Sequence, residues 1–171
     1  MLPKAVLDPG IFNRWGPDFA VEHGLVLACN DGAVMTVGFG HRYPSVEVWS
    51  TSRVDQPWRV DDEGIDAVSD LLHAAHVAVS DDVPANEEWH YRPMGTGVPV
   101  PWRIILKLRT STLAGFEGGT KIYVNTISPT TLAAMLLPKL FEARATGRIA
   151  PMDLGAECHV EPGVLRAGRI D

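Results

Sequence analysis

Cysteine is scarce in this chain. Cys29 and Cys158 are its only two, they lie far apart, and no Cys-x-x-Cys spacing occurs. Neither a zinc site nor a disulfide framework is therefore expected, and a reducing cytoplasm fits best. No uninterrupted apolar stretch of about 18 residues is present, as a membrane helix would need, and no positively charged start leads into an apolar run. Membrane insertion and secretion are not expected. Positive charge is also in short supply, with a formal net charge of -6. That balance disfavours broad nucleic-acid binding, which depends on neutralising many phosphates, but leaves room for a small anion on a local basic face. His73 and His76 lie three apart without the glutamate and spacing of His-Glu-x-x-His, so no metal is expected there. No cofactor is implied.

What is present suits one globular domain. At 171 residues, 46% hydrophobic and 21% charged, the chain is long enough to bury a core. Residues 1–18, with Pro3, Pro9, Gly10, Gly16 and Pro17, read as an irregular arm. Its Phe12 and Trp15 need somewhere to bury. Residues 19–145 form the body, and residues 146–171, punctuated by Gly147, Pro151, Gly155, Pro162, Gly163 and Gly168, read as an extended surface tail.

Within the body, Gly24–Cys29 and Ala33–Phe39 are strand-like and joined by Asn30-Asp31-Gly32, which is hairpin chemistry. Ser45–Ser50 alternates as a third strand, with Glu47 and Trp49 on one side. Asp61, Asp62 and Glu63 supply cap and first-turn charge to a helix with Ile65, Val68, Leu71, Leu72, Ala75 and Val79 at helical spacing, ending near Ser80. Asn86–Arg92 is a strand bearing His90. Ser128-Pro129 opens a second helix, with Leu132, Met135, Leu136 and Leu140 on one side, which Pro138 should kink or shorten.

The most informative stretch runs from His90 to Asn125. Trp102, Ile104, Leu106 and Leu108 alternate with Arg103, Ile105, Lys107 and Arg109, the period of a half-buried strand with one basic face. Alternate residues stand about 6.6 Å apart along a strand, so Arg103, Lys107 and Arg109, joined by Lys121 from the next strand, form a candidate phosphate grip. The competing reading is a solvated or salt-bridged face, given Glu87, Glu88 and Glu117 nearby. Gly115, Gly118 and Gly119 would allow positive φ and close approach of backbone to a ligand. His41 and Arg42, in a break before the third strand, are candidate contacts. Cys158 and His159 are merely adjacent, which does not make a nucleophile pair.

Asn86, His90, Pro93, Trp102, Arg109, the run Ser111-Thr-Leu-Ala-Gly-Phe-Glu117, Gly119-Thr120, Ile122-Tyr123, Asn125 and Pro129 occur in an order that resembles the C-terminal half of galactose-1-phosphate uridylyltransferases and related nucleotide-sugar phosphorylases. These are a branch of the histidine triad (HIT) superfamily. The resemblance spans roughly Val34 to Leu140. It implies an α+β fold, a HIT-like twisted antiparallel sheet with two helices, with residues 19–145 as the HIT-like domain. It places Glu117 where a glutamate holds hexose hydroxyls, and His90 where some members have a metal ligand. The long-strand His-x-His of the family is replaced by Arg103 and Ile105, so the metal is expected to be lost. The catalytic His-Pro-His of the family's N-terminal half occurs nowhere in this chain.

The resulting expectation is a diverged nucleotide-sugar or sugar-phosphate binding domain without independent catalysis, using Arg103, Lys107, Arg109, Glu117, Lys121 and Asn125. One alternative is an active nucleotidyltransferase or phosphorylase using His90 or a partner chain. Another is a structural dimerisation module. HIT-like units commonly pair their sheets, so a homodimer is expected, with no nucleic-acid or membrane partner. The competing assembly is with an N-terminal half that carries the nucleophile.

Overall fold

The computed structural model describes residue 8 and residues 10–80, 82–110 and 115–168, with Phe116 described in its backbone only. Its centre is an antiparallel sheet. Strands β1 (Val26–Cys29), β2 (Ala33–Val37), β3 (Ser45–Ser50), β4 (Ala85–His90), β5 (Arg103–Leu108) and β6 (Asp153–Leu154) are arranged in the order β4-β5-β3-β2-β1-β6. The hairpin at its start is built by Asn30, whose Oδ1 accepts from the amides of Gly32 at 3.2 Å and Ala33 at 2.9 Å. Its Nδ2 donates to the Ala67 carbonyl at 2.9 Å, tying the turn to the first long helix.

One face of the sheet carries the core. Met35, Val37, Val46, Val48, Ile104, Leu106 and Leu108 are buried there, beneath two helices. The α-helices of the described residues are α1 (Ile11–Arg14), α2 (Pro17–Glu22), α3 (Asp62–Val79), α4 (Gly115–Thr120) and α5 (Pro129–Ala145), and the two over the core are α3 and α5. Helix α3 is capped by Asp61, whose side chain accepts from the Gly64 amide, and buries Val68, Leu71, Ala74, Ala75 and Ala78. Helix α5 is capped by Ser128 with Pro129 following, and buries Leu132, Ala133, Leu136, Leu140 and Ala143. The expected shortening at Pro138 does not occur. Pro138 and Ala134, whose carbonyl loses its helical partner, are both exposed, so the lost bond falls on the solvent side, while buried Leu140 and Ala143 hold the helix onward.

The opposite face is buried across β2 and β3, where Val34, Thr36, Ser45, Glu47 and Trp49 are at most 5% exposed, and opens towards the edge strand β4. Trp49 is 1% exposed, beneath Ile11, Phe12, Val100 and Leu165. The described part of the arm is not irregular as expected, since α1 and α2 form there. A Cβ at Gly16 would lie 2.5 Å from the Phe12 carbonyl oxygen and 3.0 Å from the Trp49 ring, so only glycine lets the chain pass over the indole. Phe12 is buried, whereas Trp15 is half exposed against Phe19 and Phe39. The tail is more than drapery, because β6 pairs with β1. Residues 1–7 and 9 of the arm and 169–171 of the tail lie outside the described residues. Among the described residues, no helix is long and apolar enough to cross a membrane.

Candidate functional site

That second face brings polar side chains of the three adjacent strands together, buried on β3 and exposed on β4. The registers place His90 opposite Arg103 and Arg103 opposite Trp49. One row along, Glu88 faces Ile105, which faces Glu47, and beyond that Asn86 faces Lys107, which faces Ser45. Directly opposed residues bring their Cβ atoms within about 5 Å, so cations and carboxylates alternate over a patch a few residues wide.

Their contacts are specific. The Arg103 guanidinium carbon stands 4.4 Å over the Trp49 ring, and its Nη1 lies 3.4 Å from Glu47 Oε2. Glu47 is 5% exposed and also pairs through Oε1 with His41 Nε2. Lys107 Nζ donates to Glu88 Oε1 at 2.5 Å, and the other Glu88 oxygen is 3.4 Å from His90 Nε2. The Lys107 hydrogen bond draws the Glu88 carboxyl below its usual range. Burial and the positive charge of Arg103 push the His90 imidazole below its usual value, with Glu88 opposing them. At neutral pH, His90 is therefore held in its uncharged form.

Arg103, Lys107 and His90 are thus gathered into one patch, and the salt-bridged reading of the strand face is realised in the same patch. Arg109 falls past the end of β5, exposed, with its amide bonded to the Pro84 carbonyl at 2.8 Å. Lys121 does not come from a strand. It has φ +60 in an irregular, exposed stretch after α4. Glu117 lies on α4, where its Oε1 accepts from the Val124 amide at 3.3 Å. Asn125 Oδ1 accepts from the Ile127 amide at 3.2 Å, in the turn that leads to α5. The expected glycine cradle is not formed: Gly115, Gly118 and Gly119 are helical without positive φ, and a Cβ on any of them would meet nothing within 4 Å. Helix formation absorbs the run because nothing approaches its backbone closely. Ser111–Ala114 lie outside the described residues.

Glu47 escaped the sequence reading as a site residue. Its signal was a carboxylate between two core valines in a central strand, a position that demands a partner when buried. Arg42, named as a loop contact, is sandwiched between Tyr123 at 4.0 Å and Tyr43 at 5.2 Å, which draws the Lys121–Asn125 stretch towards the loop that holds His41. Its Nε is buried with no hydrogen-bond partner among the described residues. Among the described residues, no group of three or more His, Cys, Asp or Glu side chains is placed to hold a metal ion.

A family model described as Domain of unknown function (DUF4921) matches residues 3–167. The chain belongs to the DUF4921 family. A search of curated proteins finds no match to it. Among solved structures, this DUF4921 chain is similar to a uridylyltransferase at 17% identity and TM-score 0.61, over 81% of this chain and 50% of that one. It is similar to an ADP-glucose phosphorylase from Arabidopsis thaliana, solved with bound ADP-glucose, at 19% identity and TM-score 0.61, over 68% of this chain and 41% of that one. A galt-like protein from the same plant superposes at 18% identity and TM-score 0.57, over 71% and 46%. The DUF4921 chain therefore has the α+β fold of the galactose-1-phosphate uridylyltransferase-like proteins, and it spans about half the length of those neighbours.

Proposed function

We propose that this protein binds a nucleotide sugar or sugar phosphate on the open part of the sheet face and carries out no nucleotidyl transfer by itself. The observation that carries the reading is the alternation of Arg103 and Lys107 with Glu47 and Glu88 across β3, β4 and β5. A phosphate oxygen takes the place of a carboxylate on the guanidinium or ammonium group, and the released carboxylate accepts hydroxyl hydrogens of the sugar. A ligand with an anionic end and a polyol end satisfies both halves of such a patch, whereas a bare anion satisfies only one. Arg42, with its unpartnered Nε, and Glu117, Lys121 and Asn125 in the adjoining α4–α5 segment, are the groups that would close over the ligand. The phosphorylase solved with ADP-glucose supports this ligand class in a protein of the same fold. The missing His-Pro-His supports binding without catalysis.

Titration calorimetry with UDP-hexoses, ADP-glucose and hexose phosphates tests the proposal. Binding of one of them, weakened at least tenfold by Arg103→Ala or Lys107→Ala, is the expected result. No binding by any, or binding indifferent to both substitutions, overturns it.

A second reading rests on the placement of His90 directly across from Arg103 with its imidazole uncharged, the state a nucleophile requires. Release of a nucleoside monophosphate or diphosphate from such ligands, abolished by His90→Ala with binding retained, would establish it. A homodimer in a reducing cytoplasm completes the proposal, supported by the two free thiols and by β4, an edge strand whose outer side has no partner strand among the described residues; light scattering checks the assembly.

A further inference from the structure

The two cysteines of the sequence, in β1 and in the C-terminal segment, meet in the fold. Cys29 is the last residue of β1, and its register partner on β6 is Asp153. Cys158 follows a short 3-10 turn, Gly155–Glu157, that brings its Sγ back to donate to the Asp153 carbonyl at 3.3 Å. The Cys158 side chain therefore sits beside the register partner of Cys29 and packs against the apolar cluster that contains Cys29. Cys29 is buried and Cys158 half-buried. The approach is held from outside by Arg144, whose guanidinium grips Glu157 through both nitrogens at 2.5 and 3.0 Å, while Glu157 Oε2 accepts from the Leu154 amide at 3.0 Å.

We propose that Cys29 and Cys158 form a reversible intramolecular disulfide, a redox latch that fastens the C-terminal segment to the sheet. What the latch controls follows from where the chain goes next. Beyond Cys158, Val164 and Leu165 close the apolar cover over Trp49, the indole beneath Arg103. Fastening residue 158 therefore stiffens the cover at one side of the patch assigned above to ligand binding, although the latch itself does not depend on that assignment.

The chemistry balances with a small disulfide such as glutathione disulfide as oxidant. The Cys158 thiolate, on the more exposed side, attacks one glutathione sulfur, forming a mixed disulfide and expelling a glutathione thiolate. The Cys29 thiolate then attacks the Cys158 sulfur and expels the second. Two electrons pass to glutathione disulfide, and the two cysteine protons end on the two glutathione thiols. Burial raises both thiols above the ordinary thiol value, so closure is slow at neutral pH and accelerates as pH rises.

The experiment treats the reduced full-length chain with glutathione disulfide at pH 9 and follows it by intact mass, thiol titration and non-reducing electrophoresis. The expected product is a monomer that has lost two hydrogens, titrates no thiol and unfolds about 10 °C higher, since the bridge closes a loop of roughly 130 residues. Hydrogen exchange in residues 159–168 slows, and a small thiol reverses both changes. Cys29→Ser, checked for native circular dichroism, stops at a stable glutathione adduct on Cys158. A wild-type chain that keeps its glutathione adduct, couples to a second copy, or still titrates two thiols after prolonged treatment overturns the proposal.

Discussion

Asn13 and Leu165 exchange two hydrogen bonds across almost the full length of the chain: Asn13 Oδ1 accepts from the Leu165 amide at 2.8 Å and Asn13 Nδ2 donates to the Leu165 carbonyl at 3.0 Å. Both residues are buried. The asparagine side chain does what a strand neighbour would do, satisfying a peptide unit that has been carried out of water. Asn13→Ala strands both backbone groups and is expected to cost about 2–3 kcal/mol in urea unfolding. Asn13→Asp keeps the acceptor but buries a charge whose second oxygen faces the Leu165 carbonyl, so it should cost at least as much as alanine at neutral pH.

Glycine is irreplaceable at one position and idle at another. Gly16→Ala drives a methyl into the Phe12 carbonyl and the Trp49 ring, with an expected loss of about 1–3 kcal/mol. Gly118→Ala, on α4 with open space around it, should be neutral or stabilising by up to about 1 kcal/mol. Denaturant midpoints of the two variants decide the matter, and equal effects would contradict the packing over Trp49.

Glu47 is the buried anion on which Arg103 and His41 converge. Removing it by Glu47→Ala leaves Arg103 over the indole without a counter-charge, which should destabilise the protein by about 3 kcal/mol. The double variant with Arg103→Met should recover part of that loss, a coupling readable in a double-mutant cycle.

Acid should weaken the protein through the site. His90 has its pKa lowered in the fold from 6.5, so below that value the unfolded chain takes up a proton that the native chain resists, and stability falls as pH drops. Glu88, lowered from 4.5 by its Lys107 bond, contributes stability that is complete above 4.5 and is lost as pH falls through its native value. Urea midpoints from pH 7.5 to pH 2.5 should decline in two steps, the upper one beginning near 6.5 and the lower one below 4.5. His90→Gln should remove the upper one and leave the lower.

Much of the architecture was legible along the chain. The strict alternation of Trp102 to Leu108, the Asn30-Asp31-Gly32 turn and the Asp61 cap each express a rule that acts within a few residues, and each appears where expected with bounds displaced by a residue or two. The site was legible in part. Arg103 and Lys107 could be named because alternation told which face they share, and His90 because of the family resemblance, but its place across from Arg103 and the counter-charges Glu47 and Glu88 are cross-strand relations, and register alone assigns those.

Local misreadings had local causes of another kind. The glycines after Ala114 suggested an unusual backbone, yet glycine permits such conformations without requiring them, and α4 is helical. The arm lacked periodicity because α1 and α2 are each too short to display it, and they are held by packing rather than by propensity, α1 against Trp49 and Leu165 and α2 through Ala20 in the main core.

Pattern by itself determined the core-facing residues of β5 and the two long helices, because hydrophobic periodicity and capping are short-range and reappear in any fold that buries those faces, while the α+β class was what the family resemblance implied. Only the tertiary structure decided that Arg103 rests on Trp49 and is matched to Glu47, that Phe12 and Leu165 close over one end of the sheet, and that Cys29 and Cys158 both come to Asp153. Those pairings join residues distant along the chain, and their partners are chosen by strand order and register, which no local stretch of sequence contains.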